Sequence, residues 1–327
     1  MNLEAMKAQT IGVEVEMNNI TRENAAKVAS KFFGTDQFKG DGHWADTAWR
    51  NGYSCWSAWD KEGREWMFKS DCSIHGPSAE QTELVTPVLH YSDIELLQGL
   101  IRELRHAGAK SDPTRGCGVH IHIGVKCEAG DHNPKTLRNL ANIMAAHETL
   151  LALALDITDP DRIGHYCKPV DPRFIEDLNR KKPATMEDLS DVWYESQCCS
   201  CGRSHHYNDS RYHMLNYHPV FVTNDPNKKT VEFRLFQFDA PADGKQNGLH
   251  AGQLKSYIQL CLALSQAAKE ARSASPRQTQ QENPKYAMRT WLLRLGFIGD
   301  EFKTARDVLT RKLPGDTAFR HGRPAAA

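Results

Sequence analysis

Three short segments of the chain carry pairs of ionisable residues at alternate positions. Residues 11–17, 118–124 and 231–237 each place apolar side chains at every second position, which is typical of a β-strand with one face in a core. The opposite faces then carry the pairs Glu14 and Glu16, His120 and His122, and Glu232 and Arg234. Carboxylates, imidazoles and a guanidinium on such faces could bind metal ions and phosphate.

The two carboxylates of the first strand indicate a divalent cation. By strand geometry Glu14 and Glu16 project from one face about 7 Å apart. On a dry surface they would repel each other and neighbours such as Glu83 and Glu232. Oxygen ligands suit Mg²⁺ or Mn²⁺, and Mg²⁺ is commonly held by few protein ligands together with substrate phosphates. Each pair alone is common on exposed strands, so the interpretation depends on their combination.

Composition excludes several function classes. The chain has 327 residues, is 40% hydrophobic and 25% charged, and carries no formal net charge, which predicts a globular protein without non-specific binding to nucleic acid or to anionic membranes. Nine cysteines without a regular spacing fit reduced thiols, and no signal peptide or long apolar run occurs, so we expect a cytoplasmic protein. The sequence has neither a Walker-type loop nor a Gly-x-Gly-x-x-Gly turn, so a nucleotide would be held through metal and side chains.

The first half of the chain predicts alternating strands and helices. Thr21 is the expected N-cap of a helix that runs to Phe33 and ends at Gly34. Residues 44–66 contain five of the seven tryptophans, which predicts short strands or hairpins that serve either as core or as a stacking wall for a ligand. Residues 69–74 and 81–87 indicate further strands, and residues 92–95 have the form of a capping box for a helix that continues to about residue 108.

The second half predicts a long helix from Pro134, followed by irregular structure from 156 to 219 with one short helix. Cys198, Cys199 and Cys201 lie close to His205 and His206, but no second cysteine pair follows at a zinc-site spacing, which favours a metal-free loop. Residues 245–271 predict a helix, 273–284 a linker and 286–295 a last helix, and the tail after residue 313 is expected to fray.

The order of several motifs along the chain is more specific than any one of them. They are Gly12-Val-Glu-Val-Glu16, Asp71, Glu83-Leu-Val-Thr-Pro87, Gly116-Cys-Gly-Val-His-Ile-His122, Arg211-Tyr-His-Met-Leu-Asn216 and Val231-Glu-Phe-Arg-Leu-Phe236. Over residues 11–265 this set resembles the amidoligase branch of the glutamine synthetase and glutamate-cysteine ligase superfamily. The resemblance implies an α+β fold, in which a curved antiparallel sheet of about six strands has helices packed on its outer face. It also implies a catalytic domain over 1–275, and a linker, short helix and tail over 276–327.

The resemblance further implies an ATP-dependent carboxylate-amine ligase that forms an amide or isopeptide bond through an acyl phosphate. By motif, the ligands of the Mg²⁺ ions that bridge the ATP phosphates would be Glu14, Glu16, Glu83, His120 and Glu232. Arg234 would neutralise the transferred phosphoryl group, and the other residues near the phosphates would be Arg211, His122 and Asn216. Asp71 would orient or deprotonate the amine, or cap a turn, and Arg162 and Tyr166 are candidates to bind the carboxylate substrate.

Two other functions fit part of the same residue set. His120, His122 and a glutamate could bind zinc or iron in a hydrolase or oxygenase, although no carboxylate follows the histidines at the spacing of cupin-type sites. A catalytically silent binding protein of the same fold is the third alternative. For the ligase, the expected partners are carboxylate and amine substrates that are small molecules or peptides, while the sequence leaves their identity and the oligomeric state open.

Overall fold

The computed structural model describes residues 1–41, 55–128, 130–196, 202–205, 208–240, 248–278 and 282–321. Its strands are β1 Ile11–Met17, β2 Phe38–Asp41, β3 Cys55–Trp59, β4 Glu65–Lys69, β5 Thr82–Val85, β6 Val119–Gly124, β7 Leu215–Asn216 and β8 Thr230–Phe236. Its α-helices are α1 Leu3–Lys7, α2 Arg22–Phe33, α3 Ile94–His106, α4 Pro134–Leu155, α5 Pro172–Lys181, α6 Met186–Ser196, α7 His218–Phe221, α8 Ala251–Glu270, α9 Pro284–Arg294 and α10 Lys303–Thr310.

The fold is α+β with a large antiparallel sheet. Across the described ranges the sheet has eight strands in the order β2-β3-β4-β5-β1-β6-β8-β7. The pairs β2 and β3, β3 and β4, β4 and β5, β5 and β1, and β7 and β8 are antiparallel. The sheet is larger than the six strands expected, because β2 and β3 extend it beyond β4.

The chain divides into two compact units. The first, here the β1 unit, comprises Thr10–Ile121 and Phe236–Lys255. The second, here the β8 unit, comprises Met1–Gln9, His122–Leu235 and Ser256–Ala327.

In the β1 unit the apolar face of the strands packs against helix α2. Val15 on β1, Leu84 on β5 and Phe68 on β4 are paired in register and fully buried. Helix α2 contacts β2, β3, β4 and α3, and the ring of its Phe33 lies 5.1 Å from that of the buried Trp66. Because side chains alternate along a strand, Glu14 and Glu16 extend from the other face of β1.

The ends of α2 confirm the sequence prediction. The Thr21 side chain accepts a hydrogen bond from the backbone N–H of Asn24, and Gly34 ends the helix with a left-handed conformation at φ 69°. Glycine adopts that conformation without the steric cost that a Cβ would impose. The segment from Thr21 to Gly34 therefore has both of its ends defined by local chemistry.

The β8 unit is formed by packed helices together with its strands. Helix α4 contacts α5 and α10, α5 contacts α6, and α9 contacts α10. The rings of Phe174 and Trp193 lie 4.9 Å apart, and those of Trp193 and Tyr217 lie 5.4 Å apart. The hydroxyl of Tyr217 donates to the backbone carbonyl of Leu137 on α4 at 2.7 Å, so this aromatic cluster joins α4, α5 and α6.

Several local predictions were wrong. Residues 70–74 form turns rather than a strand, because β4 ends at Lys69 and Asp71 accepts a hydrogen bond from the backbone N–H of Ser73. The capping box before α3 is formed by His90 and Asp93 rather than within residues 92–95. Residues 156–219 contain the two helices α5 and α6 and the short α7, where one short helix was predicted.

Other predictions are confirmed, and some concern residues outside the described ranges. The tryptophan-rich segment supplies the hairpin of β3 and β4, whereas Trp44 and Trp49 lie outside the described residues, as do Cys198, Cys199, Cys201 and His206. The long helix from Pro134 and the helix near residue 286 are present as α4 and α9, each with proline in its first turn after an asparagine N-cap. Those two boundaries follow from the preference of proline for the start of a helix.

Candidate functional site

The β1 unit contains a cluster of acidic residues on adjacent strands. Glu16 on β1 is paired with Glu83 on β5, which is paired in turn with Lys69 on β4. Paired residues of neighbouring strands point to the same side of a sheet, so these three side chains form one row. Ligand atoms of Glu14, Glu83 and His120 lie within 4.8 Å of one another, and so do those of Glu16, Asp71 and Glu83.

Hydrogen bonds fix the cluster on the side of β6. The Nδ1 atom of His120 lies 3.0 Å from Oε2 of Glu14, and its Nε2 atom lies 3.8 Å from Oε1 of Glu16. The other oxygen of Glu16 accepts a hydrogen bond from the backbone N–H of Gly118 at 2.5 Å. Glu16 and His120 are both buried. A ring and a carboxylate that are held in this way are preorganised for an ion, because little side-chain entropy remains to be lost.

The electrostatics of the cluster fit a divalent cation. The pKa of Glu83 is raised well above its ordinary value. The main cause is removal of the Glu83 carboxylate from water, followed by the negative charges of Glu14, Asp71 and Glu16, and the charge of Lys69 opposes the shift. A bound cation would favour the ionised form of Glu83 that these carboxylates disfavour. The donor set has many oxygens and a single imidazole, which suits Mg²⁺ or Mn²⁺.

Asp71 follows β4 in a tight turn. Its Oδ1 accepts a hydrogen bond from the N–H of Ser73 at 2.7 Å, and its backbone carbonyl accepts one from the N–H of Ile74. A carboxylate oxygen of Asp71 also belongs to the cluster with Glu16 and Glu83. The turn-capping role considered for this residue is therefore present, and the same carboxylate lies at the acidic cluster.

The β8 unit contains a second group of the predicted residues around Glu232. Nη1 of Arg234 lies 2.5 Å from Oε1 of Glu232, and Nδ2 of Asn216 donates to Oε2 at 2.6 Å. Asn216 is paired with Glu232 in the register of β7 and β8. Nε2 of His122 lies 4.0 Å from Oε1 of Glu232, and Nδ1 of His122 lies 2.9 Å from the hydroxyl of Thr230. Glu232, Arg234 and Asn216 are all buried, so their geometry is tightly constrained.

A chain of contacts joins two further arginines and two tyrosines to Arg234 of this group. The guanidinium carbons of Arg211 and Arg234 lie 5.8 and 5.9 Å from the ring centre of Tyr212. The ring of Tyr166 meets that of Tyr212 edge-on at 6.1 Å, and Tyr166 is 50% exposed. Nη2 of the buried Arg162 donates to the backbone carbonyl of Arg234 at 3.4 Å. Guanidinium groups next to aromatic faces are suited to anionic, partly apolar ligands.

The structure thus distributes the predicted residues between the two units. Glu14, Glu16, Asp71, Glu83 and His120 belong to the β1 unit. The β8 unit holds the remaining ones, which are His122, Arg162, Tyr166, Arg211, Asn216, Glu232 and Arg234. Within each unit the residues contact one another as described.

Sequence reasoning did not name two residues of these groups, Lys69 and Tyr212, or the buried Glu148 of α4. The sequence places Lys69 only at the start of a predicted strand. Its position two residues before Asp71 is the sequence signal that could have identified it as a neighbour of the acidic residues. Tyr212 adjoins the named Arg211, and the guanidinium carbons of Arg211 and Arg234 lie 5.8 and 5.9 Å from the centre of its ring. Glu148 lies inside α4, where its carboxylate accepts a hydrogen bond from the N–H of Val170 at 2.8 Å and burial raises its pKa to about 7. The sequence alone does not indicate that a glutamate inside a predicted helix is buried.

Comparison with known proteins identifies the class. The chain belongs to the family described as "Putative amidoligase enzyme", whose model matches residues 7–265, and this confirms the resemblance drawn from the ordered motifs. A crystal structure of a bifunctional glutathione synthetase from Pasteurella multocida is similar to 94% of this chain, with 11% sequence identity and a TM-score of 0.47. The chain spans 47% of the length of that protein.

Two further findings complete the comparison. No curated protein matches the sequence. Among the helices that the structure describes, none has the length and apolar character that crossing a lipid bilayer requires.

Proposed function

We propose that this protein is an ATP-dependent carboxylate-amine ligase that forms an amide or isopeptide bond between substrates that are small molecules or peptides. The observation that carries the proposal is the acidic cluster of the β1 unit, in which Glu14, Glu83 and His120 converge within 4.8 Å and Glu83 has a strongly raised pKa. Such a cluster needs positive charge, and Mg²⁺ with a triphosphate is the partner that the amidoligase family suggests.

The proposed reaction has two steps. An oxygen of the substrate carboxylate attacks the γ-phosphorus of ATP, the bond to the β-phosphate oxygen breaks, and ADP leaves. The amine nitrogen then attacks the carbonyl carbon of the acyl phosphate, inorganic phosphate leaves, and the amine loses a proton. Both steps develop or move negative charge on phosphate oxygens, so fixed cations and hydrogen-bond donors are the main source of rate.

Five side chains are proposed as metal ligands. Four belong to the β1 unit, namely Glu14, Glu16, Glu83 and His120, and the fifth is Glu232. When bound, Mg²⁺ supplies positive charge that shields the phosphates and polarises the transferred group. The hydrogen bonds from Gly118 to Glu16 and between His120 and Glu14 support this role, since they hold three of the proposed ligands in place. Mn²⁺ would suit the imidazole ligand equally well.

The remaining residues are proposed to act on the substrates. Arg234 would neutralise the transferred phosphoryl group, and Arg211, His122 and Asn216 would bind phosphate oxygens directly or hold the groups that do. Arg162 and Tyr166 would bind the carboxylate substrate. Asp71 would accept the proton of the attacking amine or orient that amine, since its carboxylate lies at the edge of the acidic cluster.

The test is ADP and phosphate release by purified protein with Mg²⁺, ATP and pools of acids and amines. Mass spectrometry should detect a product whose mass equals acid plus amine less one water. Glu16→Gln should abolish turnover and metal-nucleotide binding while the fold is kept, because the carboxamide preserves shape and an acceptor for Gly118. Glu103→Gln, at an exposed position of α3, is the matched control and should keep full activity.

Two results would oppose the proposal. One is the absence of ATP binding and turnover with every pool. The other is full turnover in Glu16→Gln, which would exclude the metal assignment. Tightly held zinc or iron after native purification would favour the hydrolase or oxygenase alternative instead.

A further inference from the structure

Lys69 places a positive charge in the row that carries part of the acidic cluster. It ends β4 and is paired in register with Glu83 on β5, which is paired in turn with Glu16 on β1. Neighbouring strands lie about 4.8 Å apart, so Lys69 is one strand away from Glu83 and two strands away from Glu16, on the same side of the sheet. All three residues belong to the β1 unit.

The ammonium group of Lys69 has no ion-pair partner within the described part of the chain. Opposite charges at directly paired positions commonly interact across two strands. The side chain of Lys69 nevertheless makes neither a hydrogen bond nor an ion pair with Glu83 or with any other described residue. Its charge acts on Glu83 only through space, where it opposes the rise in pKa that burial and the neighbouring carboxylates cause. The ammonium group is therefore available to a ligand.

Solvent reaches this side of the sheet. Lys69 is half-buried, and so are Glu14 and Asp71 of the acidic cluster. The preceding residue, Phe68, faces the other side of β4 and is fully buried. A ligand that binds to the cluster from solvent can therefore also meet the ammonium group of Lys69.

A lysine beside metal ligands has opposite effects on two kinds of ligand. It repels a bare metal ion, because two positive charges at short range raise the free energy of the bound state. A metal ion that arrives with a phosphate group brings negative oxygens, to which the N–H groups of the ammonium can donate hydrogen bonds. Lys69 should therefore weaken the binding of metal alone and strengthen the binding of metal together with a phosphate compound.

We propose that Lys69 is a catalytic residue that donates a hydrogen bond to a phosphate oxygen of the metal-bound nucleotide, so that the acidic cluster takes up the metal–nucleotide complex in preference to free metal. This inference rests on the proposed ligase function. It deepens that function because it names a phosphate-binding residue within the β1 unit. The ammonium group keeps its protons and balances the negative charge on the phosphoryl oxygens while the bond to the β-phosphate oxygen breaks.

The experiment compares two affinities of the full chain. Electron paramagnetic resonance of unbound Mn²⁺ gives the dissociation constant of the metal alone, and calorimetry with Mn²⁺ and the β,γ-imido analogue of ATP gives that of the complex. Lys69→Met keeps most of the length of the side chain but not its charge. It should bind Mn²⁺ alone about threefold more tightly, since one repulsive charge is removed. The same variant should bind the complex of Mn²⁺ and the analogue about tenfold more weakly, since a hydrogen bond to a charged group is lost.

Further variants control for charge, position and folding. Lys69→Arg keeps a positive charge and hydrogen-bond donors, so both of its dissociation constants should remain closer to those of wild type than to those of Lys69→Met. Lys39→Met removes a lysine of β2, four strands from β1 in the sheet, and should change neither constant. Should Lys69→Met fail to fold, Lys69→Gln takes its place as the neutral variant, with the same expected results.

Opposite changes in the two constants would identify the proposed role, because damage to the fold would weaken both affinities. The inference is overturned if wild type and Lys69→Met bind the complex equally, or if the variant loses affinity for the metal alone and for the complex to the same extent. Either result would leave the ligase proposal intact if ADP release still depends on an acid and an amine. Conversely, opposite changes in a protein that never joins an acid to an amine would sustain the role of Lys69 and reject the ligase.

Discussion

Glu83 is surrounded by other carboxylates, so its ionised form is stable only if positive charge balances theirs. Loss of water around the group and the charges of Glu14, Asp71 and Glu16 all raise its pKa. The folded protein therefore binds this proton more strongly than the unfolded chain does. It follows that the contribution of Glu83 to stability is greatest below the ordinary glutamate pKa and is lost as pH rises towards the raised folded value.

The first prediction concerns this residue in metal-free protein. At neutral pH, Glu83→Gln should raise the free energy of unfolding, because the amide does not ionise and needs no counter-charge. Added Mg²⁺ or Mn²⁺ should raise the melting temperature of wild-type protein and have a smaller effect on the variant. Thermal unfolding after treatment with chelator, with and without added metal, provides the measurement.

The matched control is Glu103→Gln, since this exposed glutamate of α3 lies outside the acidic cluster. It should change neither the melting temperature in chelator nor the shift produced by metal. A metal-free Glu83→Gln protein that is less stable than wild type would contradict the account of repulsion between these carboxylates.

At the scale of elements, Asp60 holds the turn between β3 and β4. Its carboxylate accepts hydrogen bonds from the N–H groups of Glu62 and Arg64, from Nε of Arg64 and from the indole of Trp66 at 2.8 to 3.0 Å. Burial alone would raise its pKa, but the hydrogen bonds from Trp66 and Arg64 lower it below the ordinary value. This contribution to stability is present above the ordinary aspartate pKa and is lost as pH falls through the lowered one.

The second prediction compares two acidic partners of Arg64. Asp60→Ala should lower the free energy of unfolding by about 3 to 5 kcal/mol, because it leaves buried donors without an acceptor. Glu62→Ala should change it by less than about 1 kcal/mol, since Glu62 lies 3.3 Å from Arg64 but its side chain is 70% exposed. Urea unfolding at pH 7 measures both. Equal effects would show that burial does not decide the strength of these pairs.

The third prediction concerns Glu148, which joins α4 to the segment that follows Arg162 and Tyr166. Burial raises its pKa to about 7, so the folded state binds more protons than the unfolded chain between the ordinary glutamate value and pH 7. Stability should therefore fall as pH rises through this window and level off above it. Glu148→Gln should flatten that part of the profile, since the amide can still accept from Val170 and does not ionise.

Urea unfolding at several pH values from 5 to 8 tests this prediction. Glu187→Gln, at an exposed position of α6, is the control and should keep the wild-type pH profile. A Glu148 variant whose profile matches that of wild type would exclude Glu148 as the titrating group.

The sequence predicted those elements whose signals are local. Residues 11–17 alternate strictly and form β1, and α2 has both a threonine N-cap and a terminal glycine. Only one short helix was predicted where α5 and α6 form. Asp171 caps α5, and Thr185 exchanges hydrogen bonds with Asp188 at the start of α6. The same residue types favour loops and helix starts, so sequence alone does not separate the two.

The candidate site was predictable to the extent that it depends on strand alternation. Alternation placed Glu14 with Glu16 and Glu232 with Arg234. His120 contacts both Glu14 and Glu16, and Arg234 contacts Glu232, which agrees with that placement. The row of Lys69, Glu83 and Glu16 depends instead on the register of three strands that are distant in sequence. Register is set by tertiary packing, and a shift of one residue would turn every side chain to the other face.

At the scale of the whole molecule, the chain after residue 275 bears on where the catalytic domain ends. The proposed boundary at 275 remains a prediction. Beyond it, α9 and α10 and their connection bury Met288, Leu292, Phe297 and Phe302 in the β8 unit. Lys7 of α1 forms an ion pair with Glu301 at 3.0 Å, so the start of the chain also contacts this region.

The last prediction tests how strongly this segment supports the unit. The ring of Trp291 on α9 stacks on His147 of α4, with centroids 3.9 Å apart and planes at 7°, and Trp291 is 8% exposed. Trp291→Ala should lower the free energy of unfolding by about 3 to 5 kcal/mol through loss of buried area and the cavity that remains. Trp291→Phe should cost less, since a smaller ring still fills part of the space.

Phe319→Ala is the matched control, because Phe319 lies in the same segment but is 40% exposed. It should change stability by no more than about 0.5 kcal/mol, as most exposed substitutions do. Urea unfolding followed by tryptophan fluorescence is unsuitable for the Trp291 variants, so far-ultraviolet circular dichroism serves all three. If Trp291→Ala were as stable as wild type, the stacking of Trp291 on His147 would not be what joins α9 to α4.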